Sequence, residues 1–213
     1  MVIASQVQGL VKGAARWFPR LKPIVPWPVR RAVSAQLYLW AMPNLPDRRY
    51  LVSVVIPFIC SRRPGRVLFV GCRSYTARYP RLFARQGFEV WTIDVDPAAA
   101  RWGARGRHVT GDASRLDTIP ELPQFDCIVF NGILGFGIDD AQGARRSFLG
   151  FARVLRAGSL LVIGWDTDKT DDPRNFSELT SNFEDVHDPA VPPRQVFEHS
   201  THVYDFLVRK TAA

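Results

Sequence analysis

The sequence has few cysteines and no long apolar run. Cys60, Cys72 and Cys127 stand far apart, with no CxxC pair or Cys/His cluster. An odd number of scattered thiols argues against a disulfide framework and a metal site, and makes a reducing compartment the default. No run reaches the roughly 18 apolar residues of a membrane-spanning helix, and no secretion signal opens the chain. We therefore expect a cytoplasmic protein without a bound metal.

Acidic residues are nearly absent from the first 49 positions. Asp47 is the only acid before Tyr50, whereas eight basic residues lie there, so this segment carries most of the net charge of +8. Four prolines between positions 19 and 28 prevent a long helix, although residues 31–41 have helical spacing. We predict a basic, Pro- and aromatic-rich extension over residues 1–49. It would either contact a membrane surface peripherally or pack on the domain as a cap.

From residue 66 onward, apolar strand patterns alternate with helical ones. We predict strands at 67–71, 88–94, 108–110, 125–131 and 159–165, and helices that include 98–104 and 171–183. Alternation of this kind implies a parallel sheet with right-handed crossovers. Two late strands, at 196–198 and 201–209, are too close for another crossover helix. The expected fold is α/β: a doubly wound, mostly parallel seven-stranded sheet with a C-terminal antiparallel hairpin over residues 50–213, plus an N-terminal helical extension. Residues 48–59 are predicted as a helix that leads into the first strand, with a strand as the alternative because four β-branched residues lie at 52–56.

Glycine is scarce where a nucleotide-binding loop would need it. The first strand ends at Gly71, where the chain turns sharply and a ligand can approach the backbone. A dinucleotide fingerprint would repeat Gly at 73 and near 75. Arg73 and Tyr75 stand there instead. The turn alone is a weak motif, and it disfavours an NAD-dependent oxidoreductase.

Acids follow the second and third strands. Asp94 lies 23 residues beyond Gly71, near the spacing of a ribose-binding acid. A carboxylate can accept two hydrogen bonds and so suits a diol. The alternative, a helix cap, is better met by Asp96. Asp112 can accept a hydrogen bond from an exocyclic amine such as that of adenine, or can serve as a simple turn residue after Gly111.

Polar residues also end the fourth and fifth strands. Asn131 ends the fourth, and Trp165 and Asp166 end the fifth. Ligands of open α/β sheets bind at the carboxyl ends of the strands, so we predict that these residues face the same crevice. For Asn131 the alternative is a plain Asn-Gly turn.

Five segments in this order resemble the motifs of class I S-adenosylmethionine-dependent methyltransferases. They are residues 67–72, 89–97, 111–113, 125–131 and 153–161, within a resemblance that spans 66–210. It implies a Rossmann-like methyltransferase fold, S-adenosyl-L-methionine as cofactor and methyl transfer as the reaction. The departure is the Gly-rich loop, where Arg73 and Tyr75 would either obstruct the cofactor or cover its methionine end. The implied cofactor-binding residues are Gly71, Cys72, Arg73, Tyr75, Asp94, Val95, Asp112, Ala113 and Asn131.

The methyl acceptor is less well defined. We expect a small-molecule or a saccharide- or lipid-linked acceptor. Nucleic acid is disfavoured because residues 131–134 are not an Asn- or Asp-Pro-Pro-aromatic tetrad. The alternative is a non-catalytic methyltransferase-like module that binds a membrane surface or a partner protein. No catalytic residue is assigned; His187, His199 and His202 are the histidines considered as a base, with a structural role favoured for His202.

Overall fold

The computed structural model describes residues 45–211. Its helices are α1 (Pro46–Tyr50), α2 (Ile56–Cys60), α3 (Tyr79–Arg85), α4 (Ala141–Val154) and α5 (Ser177–Thr180), with a π-helical segment at Leu51–Val55. Its strands are β1 (Arg66–Val70), β2 (Glu89–Asp94), β3 (His108–Thr110), β4 (Phe125–Asn131), β5 (Leu155–Asp166), β6 (Phe183–Asp185), β7 (Arg194–Phe197) and β8 (Ser200–Arg209). The helix predicted over 48–59 is confirmed. Almost all of the predicted extension, residues 1–49, lies outside the described residues, so that domain division stays a prediction.

The strands form one sheet in the order β3-β2-β1-β4-β5-β8-β6, with β7 also paired to β8. The pairs among β1 to β5 are parallel, whereas β8 runs antiparallel to β5, β6 and β7. The predicted mostly parallel sheet with a closing antiparallel hairpin is confirmed. Seven strands follow the main path, and β6 and β7 occupy successive stretches along the outer edge of β8.

Helices cover both faces of the sheet, which explains why its central strands are continuously apolar. On one face, Phe151 of α4 packs edge-on against Phe130 of β4, with 4.8 Å between ring centroids. On the other, Phe58 of α2 packs edge-on against Phe206 of β8 at 5.8 Å. Each fully buried Phe of this kind contributes about 1.5–3 kcal/mol. None of the helices described within residues 45–211 is long and apolar enough to cross a membrane.

Three predicted elements differ in detail from the structure. The helix expected at 98–104 is a 3₁₀ segment, Pro97–Trp102, that Asp96 caps through Ala98 N at 2.8 Å. The fifth strand begins at Leu155 rather than 159, because Leu155 already pairs with Phe125 beside a register irregularity. The helix expected at 171–183 is a 3₁₀ turn and the short α5, followed by β6. There the free edge of β8 overrides local helix propensity.

Candidate functional site

The carboxyl ends of β1, β2 and β3 surround a cleft of about 140 Å³. The loop between β4 and α4 closes its far side with Ile133, Phe136 and Ile138. Six of the nine residues that the sequence predicted for cofactor binding line it: Gly71, Arg73, Asp94, Val95, Asp112 and Ala113. The other three predicted residues, Cys72, Tyr75 and Asn131, are not among its lining residues. The order of the parallel strands is what brings these distant residues together.

Gly71 makes the turn out of β1. Its φ of +83° is a left-handed conformation that favours glycine. A Cβ at this position would lie 2.6 Å from Ile133 Cδ1. The backbone stays anchored to the sheet because Gly71 N donates to Ile93 O at 2.8 Å. The turn therefore brings bare backbone to the edge of the cleft.

Asp94 stands at the end of β2 with almost all of its side chain buried. Its Oδ2 accepts hydrogen bonds from Cys72 N at 2.6 Å and from Arg73 Nη1 at 2.7 Å. Its Oδ1 accepts from Asp96 N at 2.9 Å. The predicted ribose-binding acid is thus in place and fixed by backbone donors. One of its oxygens, however, is held by the guanidinium of Arg73.

Arg73 is anchored by its backbone, and its side chain is half exposed. Arg73 N donates to Thr76 Oγ1 at 2.9 Å, and Thr76 N donates to Arg73 O at 3.0 Å. Its Nη1 also donates to Cys72 O at 2.7 Å. The side chain is nevertheless 48% exposed. Arg73 is therefore the bulky loop residue that meets the cleft, whereas Tyr75 lies in the following 3₁₀ turn, Ser74–Thr76.

Cys72 is a structural thiol in the turn. Burial is the main cause that raises the pKa of its thiol to about 11, and the charge of Asp94 contributes to the same shift. The side chain is therefore neutral near pH 7 and a poor nucleophile. Its backbone N–H, rather than its sulfur, serves the site by holding Asp94.

Asp112 has the turn role that the sequence left open, and it also lies at the cleft. Its Oδ1 accepts from Ser114 N at 2.8 Å and so caps the 3₁₀ segment Ala113–Thr118. The residue is also exposed and lines the cleft. Beside it, Val95 is 69% exposed and Phe136 is 53% exposed. Large apolar side chains left in water at a cleft mouth mark a surface for an apolar or aromatic group.

Asn131 ends β4, but it is not among the residues that line this cleft. Both amide atoms are buried without a hydrogen-bond partner among the described residues. Gly164 pairs with Asn131 in the sheet. A Cβ on Gly164 would collide with Asn131 Oδ1 and lie 2.9 Å from His202 Nε2. The predicted position at the strand end is correct, and its neighbour is a histidine 71 residues away in the sequence.

The two residues predicted at the end of β5 face opposite sides. Asp166 accepts from, or shares a proton with, His202 Nδ1 at 2.7 Å on the face that carries Asn131. Trp165 faces the hydrophobic core instead, and its Nε1 donates to Asp205 Oδ2 at 2.9 Å. The prediction that both residues face the cofactor crevice is therefore wrong: neither lines the cleft, and side chains that alternate along a strand do not share one face.

A second and larger cavity, of about 370 Å³, lies between the loop before α4 and the segment after β5. Its polar wall includes Asp139, Asp140, Asp168 and Lys169. Sequence reasoning missed it. The clustered aspartates at 139–140 and 166–172, each following a strand, were the available signal.

Known proteins resemble this chain in structure, whereas comparison of sequences finds no match. No protein-family model and no curated protein matches the sequence. A TehB-like SAM-dependent methyltransferase from Corynebacterium glutamicum is similar in structure, with a TM-score of 0.60 and 22% identity over 86% of this chain and 100% of that one. The N-methyltransferase NodS from Bradyrhizobium japonicum, in complex with S-adenosyl-l-homocysteine, has a TM-score of 0.58 and 18% identity over 81% of this chain and 92% of that one.

A third similar structure is an S-adenosylmethionine-dependent methyltransferase from Clostridium acetobutylicum. Its TM-score is 0.57 and its identity 10%, over 85% of this chain and 99% of that one. At such identities the likeness concerns the arrangement of strands and helices rather than particular side chains. The chain therefore has the Rossmann-like fold of the class I S-adenosylmethionine-dependent methyltransferases.

Proposed function

We propose that the chain is a class I methyltransferase that uses S-adenosyl-L-methionine. The observation that carries the proposal is the placement of Asp94 and Asp112 at consecutive strand ends around the bare backbone of Gly71. Asp94 would hold the ribose hydroxyls and Asp112 the adenine amine, both as hydrogen-bond acceptors. The exposed side chains of Val95 and Phe136 would flank the base.

The residues fit this cofactor once Arg73 leaves Asp94. The cleft of about 140 Å³ is smaller than the roughly 300–1,000 Å³ of typical small-molecule sites. Arg73 lines it and pairs with Asp94, and about half of its side chain is exposed to solvent, which leaves room for it to turn outward. We propose that Arg73 exchanges Asp94 for the methionine carboxylate, which a guanidinium binds well. Cys72, Tyr75, Ala113 and Asn131 remain proposed as supporting residues around the cofactor.

When bound, the cofactor supplies an already activated methyl group. The protein's part is then to align the acceptor and to exclude water. We propose a small-molecule or a saccharide- or lipid-linked acceptor. Nucleic acid remains the less favoured acceptor, and cytoplasmic location with peripheral membrane contact through residues 1–49 remains a prediction.

Calorimetry with S-adenosylhomocysteine tests the proposal without knowledge of the acceptor. We expect the full chain to bind it, and Asp94→Asn to weaken binding about 10- to 100-fold, because a charge-assisted hydrogen bond is worth about 1.5–3 kcal/mol. Asp117→Asn is the matched control, since Asp117 pairs with Arg153 outside the cleft. Its affinity should equal that of the wild type.

The Arg73–Asp94 ion pair also favours a second candidate. A guanidinium that never leaves Asp94 would make the chain a non-catalytic module for a membrane surface or a partner protein. Absence of binding at millimolar S-adenosylhomocysteine, together with cosedimentation of the chain with vesicles of anionic phospholipid, would support this candidate. Tight binding of NAD instead would support an oxidoreductase.

A further inference from the structure

Three polar side chains meet on one face of the sheet at its carboxyl edge. Asn131 pairs with Gly164, and Asp166 pairs with His202, across β4, β5 and β8. Side chains two residues apart on a strand share a face, so Gly164 and Asp166 lie on the same side. Asn131, Asp166 and His202 therefore converge although they come from three different strands.

Asp166 orients the imidazole of His202. Its Oδ1 lies 2.7 Å from His202 Nδ1, and an ionised carboxylate can only accept a hydrogen bond. In the neutral imidazole this places the proton on Nδ1 and leaves Nε2 with a free lone pair. The ring is also held edge-on against Tyr204, with 4.7 Å between centroids. His202 thus presents Nε2 in a fixed direction.

Three polar atoms of this cluster have no hydrogen-bond partner in the described part of the chain. His202 Nε2, Asn131 Oδ1 and Asn131 Nδ2 are all buried without a hydrogen-bond partner there. His202 is 3% exposed and Asn131 is 7% exposed. Buried polar groups are nearly always paired, because leaving them unpaired destabilises the fold. Three such atoms in one place point to a ligand that pairs with them.

Gly164 lets the Asn131 amide and the His202 ring come together over its backbone. It lies on β5 between the two side chains, and a Cβ there would collide with Asn131 Oδ1 and crowd His202 Nε2. The side chain of Asp166 is 19% exposed, so the cluster reaches solvent at the sheet edge. On the other side, Asn131 leads directly into Ile133, which lines the cofactor cleft. The cluster therefore lies at the same carboxyl edge of the sheet as the proposed cofactor cleft.

We propose that Asn131 and His202 form the subsite for the reacting group of the methyl acceptor, an N–H or O–H. The inference rests on the proposed methyltransferase function and assigns its missing base. His202 Nε2 takes the proton from the acceptor atom, whose lone pair forms the new bond to the methyl carbon. The electrons of the broken carbon–sulfur bond stay with the sulfur, and the imidazolium is neutralised by Asp166. Asn131 orients the acceptor, and Asp166 is a positioning residue.

The first experiment reads the state of His202 directly. ¹⁵N NMR of the full chain, labelled at histidine, reports which ring nitrogen carries the proton. We expect Nδ1–H with an unprotonated Nε2 in the wild type, and a mixture of tautomers in Asp166→Asn. A protonated Nε2 paired with Asn131 would assign the cluster a structural role and overturn the proposal.

The second experiment reads catalysis. The full chain is incubated with S-adenosylmethionine carrying a tritiated methyl group and with a small-molecule extract of the cells that make it. His202→Gln should lower the rate of labelling about 10²- to 10⁴-fold, the usual contribution of general acid–base catalysis. Its affinity for S-adenosylhomocysteine should be unchanged, which also shows that the variant folds. His199→Gln is the control, because His199 lies three residues away with a 70% exposed side chain.

The outcomes separate the two proposals. Normal labelling by His202→Gln would overturn the inference, and so would binding of S-adenosylhomocysteine by a wild type that labels nothing. A wild type that binds no S-adenosylhomocysteine contradicts the proposed function itself. Imidazole that restores labelling in His202→Gly would support proton transfer by the ring rather than a structural effect.

Discussion

Arg73 and Asp94 form the contact on which the state of the cofactor cleft depends. The carboxylate is buried and held by two backbone N–H groups, whereas the guanidinium is half exposed. Moving Arg73 therefore needs little rearrangement, while moving Asp94 would break the turn. Ion pairs between exposed groups contribute about 0–1 kcal/mol, and the half-exposed guanidinium of Arg73 brings this pair toward that range. The free energy needed to separate Arg73 from Asp94 is therefore small for a ligand that offers a diol to Asp94 and a carboxylate to Arg73.

A ligand without the carboxylate separates the two roles of Arg73. In Arg73→Ala, we expect methylthioadenosine to bind up to about 5-fold more tightly, because Asp94 is released from an ion pair worth about 1 kcal/mol. S-adenosylhomocysteine should gain less, since its carboxylate loses the arginine. Calorimetry with both ligands measures the difference. An equal loss of affinity for both would show that Arg73 supports the site only as a packing residue.

Gly71 is sensitive for a conformational reason. We expect Gly71→Ala to lower the free energy of unfolding by about 1–2 kcal/mol, because alanine is strained at a φ of +83° and its Cβ meets Ile133. Urea denaturation followed by circular dichroism measures this. Gly106→Ala is the control: its φ is +74°, but nothing lies within 4 Å of the added Cβ. An equal loss at both positions would mean that Ile133 moves aside without cost.

At the scale of elements, the long strand β8 holds the C-terminal part of the sheet together. Asp205 on β8 is fully buried and accepts from Arg194 Nε at 2.7 Å and from Trp165 Nε1 at 2.9 Å. Arg194 also donates to Asp172 at 2.7 Å. Arg174 Nε lies 3.0 Å from Asp205 at ion-pair distance but without hydrogen-bond geometry. The network ties β5, β7 and the turn before α5 to one carboxylate.

Removing the charge of the Asp205 carboxylate should destabilise the fold. We expect Asp205→Asn to lower the free energy of unfolding by about 3 kcal/mol, because breaking a buried ion pair leaves its partners uncompensated. Asp185→Asn is the comparison: Asp185 pairs with Arg174 at 2.8 Å, but its side chain is 38% exposed, so the expected loss is at most about 1 kcal/mol. Urea denaturation of both variants checks the contrast. Equal losses would contradict the central place of Asp205.

The sequence predicts strands better than it predicts contacts. β3 and β4 have the predicted bounds because they are apolar runs between turn residues. β6 escaped prediction because three residues ending in two acids, Phe183–Asp185, become a strand only beside β8. The pairing of Arg73 with Asp94 could not be predicted from the sequence either, because a long arginine side chain can reach several different acceptors. His202 and Asp166 are 36 residues apart, and only the antiparallel register joins them.

At the scale of the whole molecule, acid should weaken the fold. Hydrogen bonds from Arg194 lower the pKa of Asp172, and a hydrogen bond from Trp91 lowers that of Glu89. A carboxyl whose pKa is lower in the folded state stabilises the fold above its unfolded pKa, about 3.9 for Asp and 4.3 for Glu. That stabilisation is lost as the pH falls through the folded pKa values.

We therefore expect the free energy of unfolding to begin to fall below about pH 6.5, because burial lowers the pKa of His108, and to fall further below about pH 4 as the carboxyls are protonated. Urea denaturation at a series of pH values measures the profile. Asp172→Asn should be less stable at neutral pH and should show a shallower decline in acid. If stability falls in acid as steeply in Asp172→Asn as in the wild type, Asp172 does not cause the acid sensitivity.

The most direct test of the account is a crystal structure of the full chain with S-adenosylhomocysteine. The account predicts the ribose hydroxyls on Asp94, the adenine near Asp112 and Val95, and Arg73 turned from Asp94 to the ligand carboxylate. Nε2 of His202 should face the position next to the ligand sulfur. A structure grown at saturating ligand in which the cleft is empty and Arg73 remains on Asp94 would contradict it.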